Sequence, residues 1–172
     1  MKNLLSFSRS LASEQRLTSL FAKIMSEAHE IIRAERATMF LCDEVNEELY
    51  SIVSQGSDPI RVPVGVGLVG ACGRTGELLI IDDAYQDARF NSAFDKRSGF
   101  RTKSVLCAPI FSPQNGDLIA VLQFINKEGG KFVEEDFEII KAFSSHLGSA
   151  IENCSKLFDE SFSFLYLLKR SA

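Results

Sequence analysis

Two segments with the apolar spacing of helices enclose a middle part with the spacing of strands, and this order most limits the possible folds. Apolar residues recur every three or four positions from Leu17 to Ile32 and again from Phe137 to Phe158. Between them the apolar period changes to two, beginning at residues 37–42. We therefore predict an α+β domain, in which flanking helices cover an antiparallel sheet.

Turn-forming residues divide the middle part into short strands. Pro63 moves the third strand towards a sheet edge, and Pro109 is expected to end or kink the fifth. The sixth strand is apolar on both faces, which predicts a central position. The predicted strands are residues 37–42, 49–54, 60–64, 78–81, 104–111 and 118–126.

Composition and charge exclude several classes of protein. A chain of 172 residues with 45% hydrophobic and 24% charged residues suits one globular domain with helical extensions. A net charge of −4 argues against nucleic acid as a partner. No apolar run approaches the roughly 20 residues of a membrane span, and no signal peptide pattern is present, so we expect a cytoplasmic location and no membrane partner.

Cysteine and histidine residues are scattered and predict no metal site. None forms a C-x-x-C or Cys/His ligand spacing, so buried free thiols are the expected state. The residues concerned are Cys42, Cys72, Cys107, Cys154, His29 and His146.

The glycine pattern at residues 65–70 matches the G-x-G-x-x-G of dinucleotide sites but fails on length. A helix starting there must end by Gly73 or Gly76, before a new strand at residue 78. A parallel crossover needs a dozen or more residues. We therefore interpret the glycines as a tight turn into a short helix that brings backbone close to a ligand.

Residues 94–110 form a polar segment that leads into an apolar strand. Gly99 supplies a bend, and Arg101 and Thr102 precede the strand. Such an arrangement commonly holds functional groups over a rigid floor, and we predict a loop before the strand.

The chain resembles the GAF family, in particular the cyclic-nucleotide-binding GAF domains of phosphodiesterases and adenylate cyclases. The resemblance implies a six-stranded antiparallel sheet flanked by helices. It divides the chain into an N-terminal helical extension (1–16), a GAF domain (17–155) and a C-terminal helix or linker (156–172). The segments that match the family are Glu35 to Leu41, Gly65 to Gly70 with Thr75-Gly76, Asp83-Ala84-Tyr85, Arg89-Phe90-Asn91, Gly99 to Thr102 and Asn126-Lys127.

The family signature is present with one departure. Asn126, Lys127, Phe132 and Asp136 match it, whereas its final Glu is replaced by Phe137. The resemblance implies a salt bridge between the Lys and the Asp that joins the last strand to the last helix. We assign these residues a structural role.

The resemblance also implies a cyclic nucleotide as ligand, with no other cofactor. Backbone N–H groups of Leu68 and Val69 would bind the cyclic phosphate. The other expected contacts are Thr38 and Ser54 to the purine, Gln55 at its edge, Asp95, Ser98 and Thr102 over base and ribose, and Gln123 from the central strand. An amide at Gln55 weakly favours cAMP over cGMP.

Chemistry alone leaves other functions open. Asp95, Ser98 and Thr102 are residue types that also cap helices and form turns. The leading interpretation is a non-enzymatic sensor that signals to an attached output domain through a homodimer of the terminal helices, with Leu147, Ala150, Cys154 and Leu157 near a seam. The alternatives are a ligand-free dimerisation module and a thiol-based enzyme of the methionine sulfoxide reductase type. Covalent tetrapyrrole attachment is disfavoured.

Overall fold

The computed structural model describes residues 19–53 and 60–158, with backbone alone for residue 53 and residues 152–158. The helices are α1 (residues 19–32), α2 (Gly67–Thr75), α3 (Ala93–Ser98) and α4 (Glu134–Phe158), with one 3₁₀ turn (Ala84–Gln86). The strands are β1 (Ala34–Asp43), β2 (Glu48–Val53), β3 (Arg61–Pro63), β4 (Leu79–Ile81), β5 (Val105–Phe111) and β6 (Leu118–Lys127). The predicted N-terminal helical extension, residue 54 of the predicted second strand and residues 159–172 of the predicted C-terminal helix or linker lie outside the described residues.

Six strands form one antiparallel sheet in the order β3-β2-β1-β6-β5-β4, which confirms the predicted fold class. β6 is central and β3, with Pro63, is an edge strand, as expected. Pro109 does not end β5, because the strand continues to Phe111. β4 pairs only with Val105, Leu106 and Cys107, so Pro109 lies beyond the part of β5 that needs hydrogen bonds on that side.

Successive side chains of a strand point to opposite faces of the sheet, and they form one apolar layer on each face. Met39 packs on one face of the sheet with α1 and α4, and Phe40 packs on the other with α2. On α1 the buried residues are Phe21, Met25, Ala28 and Ile32, spaced by four, three and four positions. The apolar stripe predicted for this helix also included Leu20 and Ile31, which are 41% and 50% exposed, so the predicted stripe was too wide.

Lys127 connects both long helices to the central strand. Its Nζ donates to Asp136 Oδ1 at 2.5 Å and to the carbonyl of Ile32 at 2.6 Å. Ile32 is at the C-terminus of α1, where unpaired carbonyls favour a cation. Asp136, in the first turn of α4, also accepts the N–H of Val133 at 2.9 Å. The ion pair that the family resemblance implies is thus present between β6 and α4.

The dimer seam stays a prediction. Leu147 is 1% exposed and packs in the layer between the sheet and α4, so its side chain is not on the exposed surface of α4. Cys154 and Leu157 lie where the structure describes backbone alone. Among residues 19–53 and 60–158, no helix combines the length and apolar character of a membrane span.

Candidate functional site

A cavity of about 1290 Å³ lies on the α2 face of the sheet. Its floor comes from β1 and β6, and its walls come from β3, the first turn of α2, the segment at Phe90 and Asn91, and α3. Of the residues predicted to bind ligand, those that line it are Thr38, Leu68, Val69, Asp95, Ser98, Thr102 and Gln123. Ser54 and Gln55 lie outside the described residues. Pockets for small molecules in proteins commonly measure roughly 300–1,000 Å³, so space is ample.

The N-terminus of α2 faces this cavity. Val66 is the N-cap and makes no side-chain capping bond, and the helix begins at Gly67. The first intrahelical bond is that from Gly70 N to Val66 O, so the N–H groups of Gly67, Leu68 and Val69 have no acceptor within the helix. No acidic residue occupies the first turn. Free N–H groups and the positive end of a helix dipole together favour an anion.

The glycines of this motif serve the close packing of α2 on the preceding turn. Gly65 N donates to Gly70 O at 2.7 Å, and Gly65 has φ +89°. A Cβ on Gly70 would lie 2.5 Å from the carbonyl oxygen of Pro63. The helix ends at Thr75, and Gly76 is its left-handed C-cap. The geometry agrees with a short helix held close to its own entry turn.

Thr38 and Gln123 are direct cross-strand partners on the cavity floor. Both are half-buried. Among the described residues, the Gln123 amide makes one weak hydrogen bond, from Nε2 to Cys107 Sγ at 3.9 Å. A buried amide is costly unless its groups are paired. This floor therefore presents an amide and a hydroxyl to any molecule that enters.

The segment before β5 was predicted as a loop, but it contains the short helix α3. α3 ends at Ser98, and Gly99 is its C-cap with φ +71°. Ser98 is exposed, and its hydroxyl donates to the Phe94 carbonyl at 2.9 Å. A helix was not expected here because α3 has no apolar stripe: its single buried residue, in a segment described throughout, is Asp95.

Asp95 and Thr102 are bonded to each other. Asp95 is 4% exposed; its Oδ2 accepts Thr102 N at 2.7 Å and its Oδ1 accepts Thr102 Oγ1 at 2.8 Å. The Tyr85 hydroxyl also donates to Oδ2, at 3.0 Å. A carboxylate has about four acceptor positions, so one on Oδ1 remains for a ligand N–H or O–H.

Asn126 of the family signature holds the segment that carries Thr102. Its Oδ1 accepts Lys103 N at 2.6 Å and its Nδ2 donates to Arg101 O at 2.9 Å. The residue has φ +59°, a region that Asn tolerates better than most residues. The signature Asn thus contributes to the position of the cavity wall, although it does not line the cavity.

The described thiols are unsuited to nucleophilic chemistry. Burial raises the pKa of Cys72 to about 12, and burial also raises the pKa of Cys107 and, with less effect, of Cys42 beside Glu44 and Asp43. A reactive cysteine needs a lowered pKa and partial exposure. No group of His, Cys, Asp and Glu suited to a metal ion occurs in the described part of the chain.

We expect these thiols to make stability fall at alkaline pH. Cys72 holds its proton up to about pH 12 in the folded state, whereas its ordinary pKa is 9.0. Its contribution is complete below pH 9 and is lost as pH rises towards 12, at about 1.4 kcal/mol per pH unit. Denaturant unfolding of the wild type and of Cys72→Ala between pH 8 and 11 checks this. Equal slopes in the two proteins would contradict it.

Sequence reasoning missed several residues of the site. Tyr85 and Phe90 were recognised only as part of the family resemblance, yet their rings contact each other at 5.1 Å and Phe90 lines the cavity. Arg101 lies over the Tyr85 ring at 3.8 Å. The sequence offered one indication of their role: Tyr85 and Phe90 are aromatic residues five positions apart in an otherwise polar segment.

The fold and the cavity define an α+β domain with a cavity large enough for a small molecule. Residues 16–151 match the GAF domain family, and the chain belongs to that family. It is 32% identical over 158 residues to the probable 3',5'-cyclic phosphodiesterase pde-5 of Caenorhabditis elegans, covering 84% of this chain and 21% of that protein. It is 33% identical over 160 residues to the dual 3',5'-cyclic-AMP and -GMP phosphodiesterase 11A of Takifugu rubripes, covering 84% and 18%. The chain thus spans about a fifth of these relatives.

Solved structures support the fold. The GAF domain from a phosphoenolpyruvate-protein phosphotransferase of Coxiella burnetii has a TM-score of 0.72 and 22% identity, over 90% of this chain and 96% of that one. The free methionine-R-sulfoxide reductase of Neisseria meningitidis has a TM-score of 0.70 and 20% identity, over 82% and 81%. At these identities the likeness concerns the fold alone.

Proposed function

We propose that this chain is a regulatory domain that binds a cyclic nucleotide in the cavity between the sheet and helices α2 and α3. The observation that carries the proposal is the uncapped first turn of α2, at Gly67, Leu68 and Val69, opening onto the same cavity as the Thr38 and Gln123 pair. A cyclic nucleotide combines one anionic phosphate with a polar base edge. The N–H groups of α2 suit the first, and the floor amide and hydroxyl suit the second.

The relatives support the same ligand class, since their names include cyclic phosphodiesterases. The Gln55 amide weakly favours cAMP over cGMP, and this stays a prediction from the sequence. In a longer protein the domain would act on an attached output domain, with signal passing through α1 and α4 in a homodimer. These helices pack on the opposite face of the sheet from the cavity.

Catalysis by the domain itself is disfavoured by the thiols. The free methionine-R-sulfoxide reductases share the fold, but burial raises the pKa of Cys42, Cys72 and Cys107, opposite to what a thiol nucleophile requires. A ligand-free dimerisation module is the remaining alternative. A ligand-free module would give no role to the uncapped N-terminus of α2 or to the Gln123 amide, which makes one weak hydrogen bond in the described structure.

Calorimetric titration with cAMP and cGMP tests the proposal. We expect binding of at least one, tighter for cAMP, and a rise in melting temperature at ligand concentrations above Kd. Adenosine and guanosine are the matched ligands without phosphate, and they should bind more weakly because the α2 N–H groups lose their acceptor. No heat and no melting shift with either cyclic nucleotide at millimolar concentration would refute the proposal.

Gln123→Leu should weaken cyclic nucleotide binding by about tenfold, since it removes one polar contact of roughly 1–1.5 kcal/mol. Gln114→Leu is the matched control, because Gln114 is exposed in the turn between β5 and β6 and does not line the cavity. Equal affinities in the two variants would show that Gln123 makes no ligand contact.

A further inference from the structure

Helix α3 is attached to the domain mainly through one carboxylate. It has six residues, and Asp95 is the single buried one in this fully described helix. Isolated helices of this length are unstable in water, so α3 depends on its tertiary contacts. Within the described residues, no Lys or Arg forms an ion pair with Asp95. Its partners are Thr102 and Tyr85.

Tyr85 lies behind the cavity wall rather than in it. It belongs to the 3₁₀ turn, whose N-cap Asp83 accepts the Tyr85 N–H at 3.1 Å. Ala84 beside it is buried and donates its N–H to Lys103 O at 2.7 Å. Tyr85 is therefore carried by a turn that is fixed to the start of β5, and it does not line the cavity in the described structure.

The side chain of Tyr85 contacts two residues that do line the cavity. Its hydroxyl donates to Asp95, and its ring packs against Phe90 at 5.1 Å. Arg101 lies over the same ring at 3.8 Å, which restricts the ring and supplies a cation–π contact. Tyr85 is 36% exposed, and its phenol keeps its proton at neutral pH and so acts as the donor to Asp95.

We propose that Tyr85 is a positioning residue, which holds Asp95 and Phe90 so that α3 stands in its binding geometry before ligand arrives. Ligand then meets a wall that is already ordered and loses less free energy in ordering it. If the hydroxyl is removed, α3 populates its bound position for a smaller fraction of the time, and the apparent affinity falls by that fraction. The affinity consequence rests on the proposed function; the ordering of α3 does not.

Hydrogen–deuterium exchange of the free protein tests the ordering directly. Tyr85→Phe keeps the ring and removes the hydroxyl, and we expect exchange in residues 91–104 to accelerate by roughly 10- to 150-fold, the value of one hydrogen bond to a charged group. Exchange in α1 and α4 should not change. Ser149→Ala removes an exposed hydroxyl on α4, across the sheet, and should accelerate nothing in residues 91–104.

A double-mutant cycle separates positioning from general destabilisation. If Tyr85 acts through Asp95, Tyr85→Phe should add little further acceleration in an Asp95→Asn background. Acceleration spread evenly over the whole domain, additive effects in the cycle, or no acceleration at residues 91–104 would each overturn the inference.

The affinity measurement distinguishes failure of this inference from failure of the proposed function. Tyr85→Phe should weaken cyclic nucleotide binding by the same factor as the fall in the ordered fraction of α3, which the exchange protection of residues 91–104 gives. Unchanged affinity despite a measured fall in that fraction would overturn the positioning role. If wild-type protein binds neither cAMP nor cGMP, the proposed function fails, and the exchange cycle still decides whether Tyr85 orders α3.

Discussion

Lys127→Met is expected to lower the free energy of unfolding by about 3–5 kcal/mol, because it leaves a buried carboxylate without its cation. The Asp136 side chain is only 5% exposed and that of Lys127 17%. The same substitution removes the donor to Ile32 O at the end of α1. Urea unfolding followed by circular dichroism measures the loss.

Lys131→Met is the matched control for this experiment. Lys131 pairs with Asp82 at 2.5 Å, but their side chains are 67% and 51% exposed. Exposed pairs contribute about 0–1 kcal/mol, so this variant should remain close to wild type. The double variant Lys127→Met/Asp136→Leu should recover part of the loss, because no buried charge remains. A loss below 1 kcal/mol for Lys127→Met would contradict the argument.

Gly70→Ala is expected to destabilise the domain and to weaken nucleotide binding by more than tenfold. In a free helix, Ala in place of Gly stabilises by about 1 kcal/mol. Here the new Cβ would lie 2.5 Å from Pro63 O and 3.0 Å from Gly65 N, both backbone atoms that cannot turn away. α2 must therefore shift, at a cost of about 1–3 kcal/mol, and its N–H groups move with it.

Gly116→Ala provides the comparison for Gly70→Ala. Gly116 has φ +78° in the turn after β5, and no atom lies within 4 Å of its added Cβ. It should cost about 1 kcal/mol through backbone strain and leave nucleotide affinity unchanged. Melting temperature and calorimetric titration of the three proteins check both effects. Higher stability for Gly70→Ala than for wild type would show that α2 adapts without displacement.

Parts of the site were predictable because the residues that form them are neighbours in the chain. The glycine turn and the helix end at Gly76 follow from local backbone geometry, and the short helix between them agrees with the structure. The floor pair was predictable residue by residue, but not as a pair. Thr38 and Gln123 meet only because β1 and β6 are adjacent, although 85 positions separate them in the sequence.

The prediction for α3 was wrong in kind because its stability does not come from an apolar pattern. Its buried residue is a carboxylate, and its partners Tyr85 and Thr102 lie ten and seven positions away. The period of apolar residues indicates which faces are buried, but it does not predict polar contacts of this kind. The exposed Ile31 shows the related limit: the stripe predicted for α1 was too wide because spacing alone does not say where a neighbouring element stops.

The sequence by itself determined the order of the strands and of helices α1, α2 and α4, the two faces of each strand and the family, since all of these depend on period, turn chemistry and local motifs. Only the tertiary structure decided which polar groups meet. Lys127 reaches Ile32 across 95 positions, and Tyr85 is joined to the cavity wall through Asp95. Such contacts depend on strand order and helix placement, which arise from packing the whole chain and are not encoded in any single stretch.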